Sequence, residues 1–280
     1  YEKVGKNGVV LMEESETNET YVEFVEGVQF DSKLKSPHLV TDKDKHTAIL
    51  EEPSVLIVSS PIPNVRRIQN VLEHVIKQKR SLLIIADLEQ QPFATLLANK
   101  VKGNIKVNIV DPPGFGPTRS ETIEDLAILT GAIVINEELG DDLDLIDPSV
   151  LGTAIKSVTD DKGTVLQVHG NNNLLEERIS NVNVRLQEEK NPFFRKKLEQ
   201  RLSMLTGSVG IIRVGADSKI ELKEKKDRVE DAIYATKAAY KEGIVSGGGV
   251  ALLNAASHIT PKSKGEEILL KAIRAPYETI

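Results

Sequence analysis

The sequence contains no cysteine, which excludes disulfides, thiolate metal sites and cysteine nucleophiles and suits a reducing compartment. It also lacks any apolar run able to cross a bilayer: runs such as 82–86 are about a quarter of the ~20 residues a spanning helix needs. There is no surplus of basic charge. Against 42 Asp+Glu stand 36 Lys+Arg, a formal net charge of -6, so neither nucleic acid nor a membrane is expected as a partner. The five histidines, His38, His46, His74, His169 and His258, lack metal-ligand spacing, and no metal site is expected. No G-x-S-x-G elbow, zinc-binding helix or paired-carboxylate motif supports a hydrolase reading, and no internal repeat or low-complexity tract is present. The chain opens at Tyr1 without an initiator Met or an apolar leader, and 266–280 reads as a helix that stops without a cap. Both features lead to the expectation of a segment of a longer protein.

What is present is a globular composition: 280 residues, 40% hydrophobic, enough for one large domain or two modest ones. Between 53 and 135, β-type runs alternate with helical patterns. Strands are predicted at 55–58, 82–86, 105–110 and 132–135. Between them lie a helix carrying Val65, Ile68, Leu72, Val75 and Ile76, a second opening near Pro92, and a third over 121–129 closed by Gly131. PPGFG at 112–116 reads as a loop. Repeated strand–helix–strand units predict an α/β domain, a sheet with parallel strands and flanking helices.

The stretch 93–101 is apolar nearly all round, and periodicity alone favours full burial over an exposed binding groove. Over 173–205 the pattern predicts a helical hairpin turning at Asn191-Pro192 and ended by Gly207. A strand over 209–214 follows, then a further strand at Ile220 and Leu222. A long helix from near Lys225 carries Val229, Ala232, Ile233, Thr236 and Ala239 on one face and stops at Gly243.

Two features bear on chemistry. The turn Gly247–Gly249 enters a helix and could cradle phosphate through its backbone amides. It lacks the Lys-Ser/Thr ending of a Walker loop, and the pattern alone favours a hinge or close-packed turn. Asp231 sits among alternating charges, where a solvated helix position is the ordinary reading.

Several segments, in order, resemble the group I chaperonins of the GroEL type: YEKVGKNGVV from Tyr1, VEGVQFD from Val25, LLIIAD from Leu82, PPGFG from Pro112, LTGAIVINEELG from Leu129, and KEKKDRVEDAIYAT from Lys223 through SGGGVALL. The resemblance covers essentially the whole chain. It implies intermediate-domain pieces at 1–25 and 210–242, an α/β apical domain with a helical hairpin at 26–209, and a helical equatorial piece at 243–280, the intermediate domain being a smaller α+β unit.

The family grips non-native polypeptides, and the mobile loop of a GroES-type co-chaperonin, in an apolar groove between two apical helices. Carried over, the groove positions are Leu34, His38, Leu39, Gln69, Leu72, Phe93, Leu97 and Ala98. His38 and Gln69 depart from the family's aromatic or aliphatic residues, and Leu34 and Leu39 stand where aromatics are common.

The resemblance makes Asp231 the carboxylate that positions the attacking water in the parent's ATP site, and Gly248 a glycine approaching the nucleotide. It makes Gly27 and Gly207 the upper hinge and Gly243 the lower, with Ser208 in place of a second hinge glycine. ATP and Mg are thus implied for the parent. None is expected in this chain, which lacks the family's phosphate-binding loop and metal-binding aspartate and should not turn over ATP. The parent would form heptameric rings in the bacterial cytoplasm or an organelle matrix. A self-contained α/β enzyme holding a phosphorylated substrate at Gly247–Gly249 is the alternative.

Overall fold

The first strands of the α/β pattern, 54–57, 81–85 and 106–110, form within a residue of where the apolar runs predict them. The structure, a computed structural model, describes residues 3–4, 9–114, 116–169 and 173–280, so most of the 1–10 resemblance segment, and Phe115 of PPGFG, lie outside the described residues. In chain order the elements are β1 (Val9–Glu14), β2 (Tyr21–Phe30), β3 (Ala48–Glu51), β4 (Ser54–Ile57), α1 (Gln69–Gln78), β5 (Ser81–Ile85), α2 (Gln90–Val101), β6 (Lys106–Val110) and α3 (Pro117–Thr130). There follow β7 (Gly152–Thr153), β8 (Lys156–Thr159), β9 (Thr164–Gln167), α4 (Asn173–Glu188), α5 (Pro192–Leu205), β10 (Ser208–Val214), α6 (Lys219–Glu242), α7 (Val250–Ser257), α8 (Lys264–Ala272) and α9 (Ala275–Thr279). They divide into two compact units, Tyr1–Lys225 and Lys226–Ile280, with the division inside α6.

In the first unit β4, β5 and β6 are parallel neighbours, and β7 lies antiparallel against β4. Helices α1 and α2 make the crossovers that parallel pairing demands. Every residue of β4 and β5 is buried. One sheet face sends Leu56, Leu82, Ile84, Val107 and Ile109 into a core with Ile68, Val71 and Val75 from the α1 segment and Leu96 of α2. The other sends Val55, Ile57, Leu83, Ile85 and Val110 against Ile123 and Leu126 of α3 and Val28, Phe30 and Leu166 of the neighbouring sheet. Both faces are covered, so β4 and β5 read as apolar runs after an opening serine, β6 admits the buried Asn108 with its amide donating to Thr159 Oγ1 at 2.8 Å, and each buried apolar side chain contributes about 1.5–3 kcal/mol.

The second sheet has the order β1-β10-β2-β9-β8-β3. The long strand β2 changes partner within it: Tyr21 to Glu26 pair with β10, and Gly27 to Phe30 pair with β9.

The hairpin of α4 and α5 joins this body through Val182, Leu198, Leu205 and Leu129 and through charge. Asp125 of α3, fully buried, accepts hydrogen bonds from Arg201 Nε at 2.7 Å and Arg178 Nε at 2.7 Å. Arg201, 5% exposed, also pairs with Glu121, and Arg178 and Arg185 reach Glu124 and Glu121 at 2.9 and 2.8 Å. Burial alone would raise the Glu121 carboxyl, but Arg185, Arg201 and Arg178 outweigh it and hold it below its ordinary value.

Five local expectations are corrected. The third helix starts at Pro117 rather than 121, because proline is tolerated where a helix has no intrahelical acceptor for its N–H. The strand at 132–135 reduces to one parallel bridge, Val58 to Ile135, because β7 occupies the edge of β4 beside Ser54 and Val55. Ile220 and Leu222 belong to α6, which begins at Lys219 and not near Lys225: Ser218 Oγ accepts from Glu221 N at 3.2 Å, an S-x-x-E start. The helical 266–280 is split into α8 and α9, where Pro276 cannot donate to the carbonyl of Ala272. The helix at 93–101 is not fully buried: in α2 only Pro92 and Leu96 are, Phe93 and Leu97 are half-exposed, and Ala94 and Ala98 are exposed.

Removing a buried carboxylate from between two guanidinium groups leaves uncompensated charge. Asp125→Asn is expected to cost about 3–5 kcal/mol, read as a lowered urea midpoint. The Glu121 contribution has the sign of a depressed acid. It is present above the ordinary value of 4.5 and lost as pH falls through the lower folded value, so unfolding midpoints should drop in acid less steeply in Glu121→Gln than in the wild type.

Candidate functional site

The stripe Gln69, Leu72, Ile76 recurs at helical spacing on α1, and Phe93, Leu97, Val101 does the same on α2. The structure brings five of the eight groove positions into one apolar cluster: Leu39 and Leu72 lie in the core, with Leu34, Phe93 and Leu97 half-exposed against it. Leu39 is 0% exposed and can only underlie a surface, whereas Leu72 reaches 9%. His38, Gln69 and Ala98 are exposed and lie outside that cluster. Ile76 and Val101, 47% and 67% exposed, extend the two stripes and were missed. The signal was there, since each stands four residues after a groove leucine.

Polar contacts hold this surface in shape. Asn64 caps the turn Val65–Ile68 that leads into α1, and Arg67 in that turn is anchored by Glu137 at 2.6 Å and Asp144 at 3.1 Å. Lys100 of α2 donates to the carbonyl oxygens of His38 at 3.0 Å and Val40 at 3.4 Å, tying the turn Pro37–Leu39 to the helix. Burial lowers the pKa of that ammonium. Lys35 pairs with Asp111 and stands 5.8 Å from the centre of the Phe93 ring. The arrangement offers a partly exposed apolar surface, suited to non-directional contact.

Gly27 and Gly207 are brought together. Gly27 N donates to Gly207 O at 3.4 Å, where β2 changes partner. A Cβ on Gly27 would lie 2.6 Å from both Leu166 O and Val209 Cγ2, and one on Gly207 would lie 2.9 Å from Gly27 O. Both glycines are therefore required by close backbone approach. Ser208 opens β10 immediately beyond.

Within 226–280, Asp231 is exposed on α6 and Gly243 follows the helix with φ 86, the left-handed region that favours glycine. In the turn ahead of α7, a Cβ on Gly247 or Gly248 would meet nothing within 4 Å, while one on Gly249 would come within 2.8 Å of Tyr277 N. Packing against α9 thus explains Gly249. No residue of this unit is buried. Among the described residues no group of three or more His, Asp or Glu is placed to hold a metal, and no helix is long and apolar enough to cross a membrane.

A family model described as the TCP-1/cpn60 chaperonin family matches residues 63–274, about three quarters of the chain. The matched span contains Gln69, Leu72, Phe93, Leu97, Ala98, Gly207, Asp231, Gly243 and Gly248. Gly27, Leu34, His38 and Leu39 precede it.

The strand switch yields a prediction. Gly27→Ala should destabilise the fold by about 1–3 kcal/mol through forced repacking around Leu166 and Val209, measured by denaturant unfolding.

Proposed function

This chain belongs to the TCP-1/cpn60 chaperonin family, and on that premise we propose that it is the middle section of a group I, GroEL-type subunit. Its work is that of a chaperone. The surface between α1 and α2 takes up non-native polypeptide and, in turn, the loop of a GroES-type co-chaperonin. The observation that carries this reading is an incompletely buried apolar cluster, Leu34, Leu72, Phe93 and Leu97, standing on a rigid core. Apolar burial is worth roughly 25 cal/mol per Å² whatever the sequence, so such a surface suits many unfolded clients.

The partner switch of β2 at Gly27, facing Gly207, supports an apical domain over 26–209 that swings on those residues, with 1–25 and 210–242 as the intermediate domain and 243–280 as equatorial. Gly243 is the lower hinge. In the parent, ATP with Mg supplies the phosphoanhydride whose hydrolysis drives the cycle. This chain contributes the exposed carboxylate of Asp231, to orient water, and the open turn at Gly248, to let the nucleotide approach. Heptameric rings in a bacterial cytoplasm or organelle matrix complete the proposal.

Fluorescence anisotropy with a labelled, permanently unfolded polypeptide tests the groove. Phe93→Glu should weaken binding about tenfold or more while the circular dichroism spectrum is unchanged. Equal affinity would remove the groove assignment.

A further inference from the structure

A cleft of about 1010 Å³ lies between β2 and the loop after it, the loop after β6, the start of α3 and the end of α5, and meets the expected groove positions only at Leu34. Its charged lining comprises six cations, Lys33, Lys35, Arg119, Lys162, Lys197 and Arg201, against three aspartates. This twofold excess of cations sits on a chain of net charge -6, so it does not follow from composition. Lys35 is engaged by Asp111, and Arg201 by Asp125 and Glu121. Lys33 and Arg119 form no ion pair among the described residues. The positive end of α3 points the same way electrostatically: its first turn carries no acidic residue, and Gly116 provides no side-chain cap.

We propose that this cleft is a second polypeptide-binding site, one that takes an acidic, extended peptide segment. Its volume matches the upper range of ligand sites, about 300–1,000 Å³, leaving room for several residues and not for a lone anion. Flexible lysine and arginine arms around an open cleft favour successive carboxylates over a ligand of fixed shape. The proposal uses charge where the groove uses apolar area, and Lys33 and Arg119, on which it turns, lie outside the expected groove positions.

The test is anisotropy titration of the whole chain with a labelled poly-glutamate peptide at low salt. Binding is expected, falling steeply as salt is raised. The double substitution Lys33→Glu and Arg119→Glu should weaken it about tenfold or more, while Lys43→Glu, an exposed control, should leave it unchanged. Should the double variant fail to fold, Lys33→Gln at an exposed position serves in its place, with a smaller loss expected. Absence of poly-glutamate binding at low salt, or binding untouched by the cleft substitutions, would overturn the proposal. So would binding of inorganic tripolyphosphate without the peptide, which would make the site one for a small phosphorylated ligand.

Discussion

The structure depends on burying both faces of one small sheet. Because every residue of β4 and β5 is buried, the chain must cover each side, and it does so with different material. The α1 and α2 segments cover one face, and α3 with the second sheet covers the other. The two helices on the first face are thereby fixed by the same strands. Their inner residues, Val71, Val75 and Leu96, are committed to the core, and the residues beside them remain partly available. Phe93 and Leu97 are half-exposed because the sheet offers no further area. A partly exposed apolar surface arises from this excess at little cost in stability, since its floor is already packed.

The other contacts are of a different kind. Hairpin and body meet around a buried carboxylate, Asp125, held by two guanidinium groups, a directional contact that fixes orientation where leucines alone would tolerate sliding. The two sheet portions meet along one strand, at a glycine pair too close for side chains. Packing on both faces of the four-stranded sheet and a narrow backbone crossing at Gly27 and Gly207 are features that the proposed swing of one domain as a body would use.

Much of this was legible in the sequence. Strands of the parallel sheet were readable because double burial produces runs such as 82–86 without polar interruption, and the hairpin because Asn191-Pro192 breaks a long helical pattern. Ile220 and Leu222 misled because two apolar residues at spacing two mimic a strand, while the decisive signal was Ser218 with Glu221. The exposure of α2 was illegible: a helix apolar on all sides looks buried until its neighbours are known. Groove positions were reached through family resemblance, and periodicity alone would have added Ile76 and Val101 to them. Glycines at 27 and 207 could be noticed in sequence, but their mutual contact depends on β10 returning beside β2 from some 180 residues away in the chain. The cationic cleft was likewise invisible, since its six cations come from four separate stretches.

If unfolded polypeptide is held on the apolar surface of α1 and α2, its binding must shield the backbone of those helices from solvent. Amide hydrogen exchange of the chain, with and without a saturating unfolded polypeptide that carries few acidic residues, tests it most directly. The prediction is slowed exchange confined to 34–40, 65–78 and 90–102. Protection absent there, or found only around 111–119 and 197–208, would contradict it.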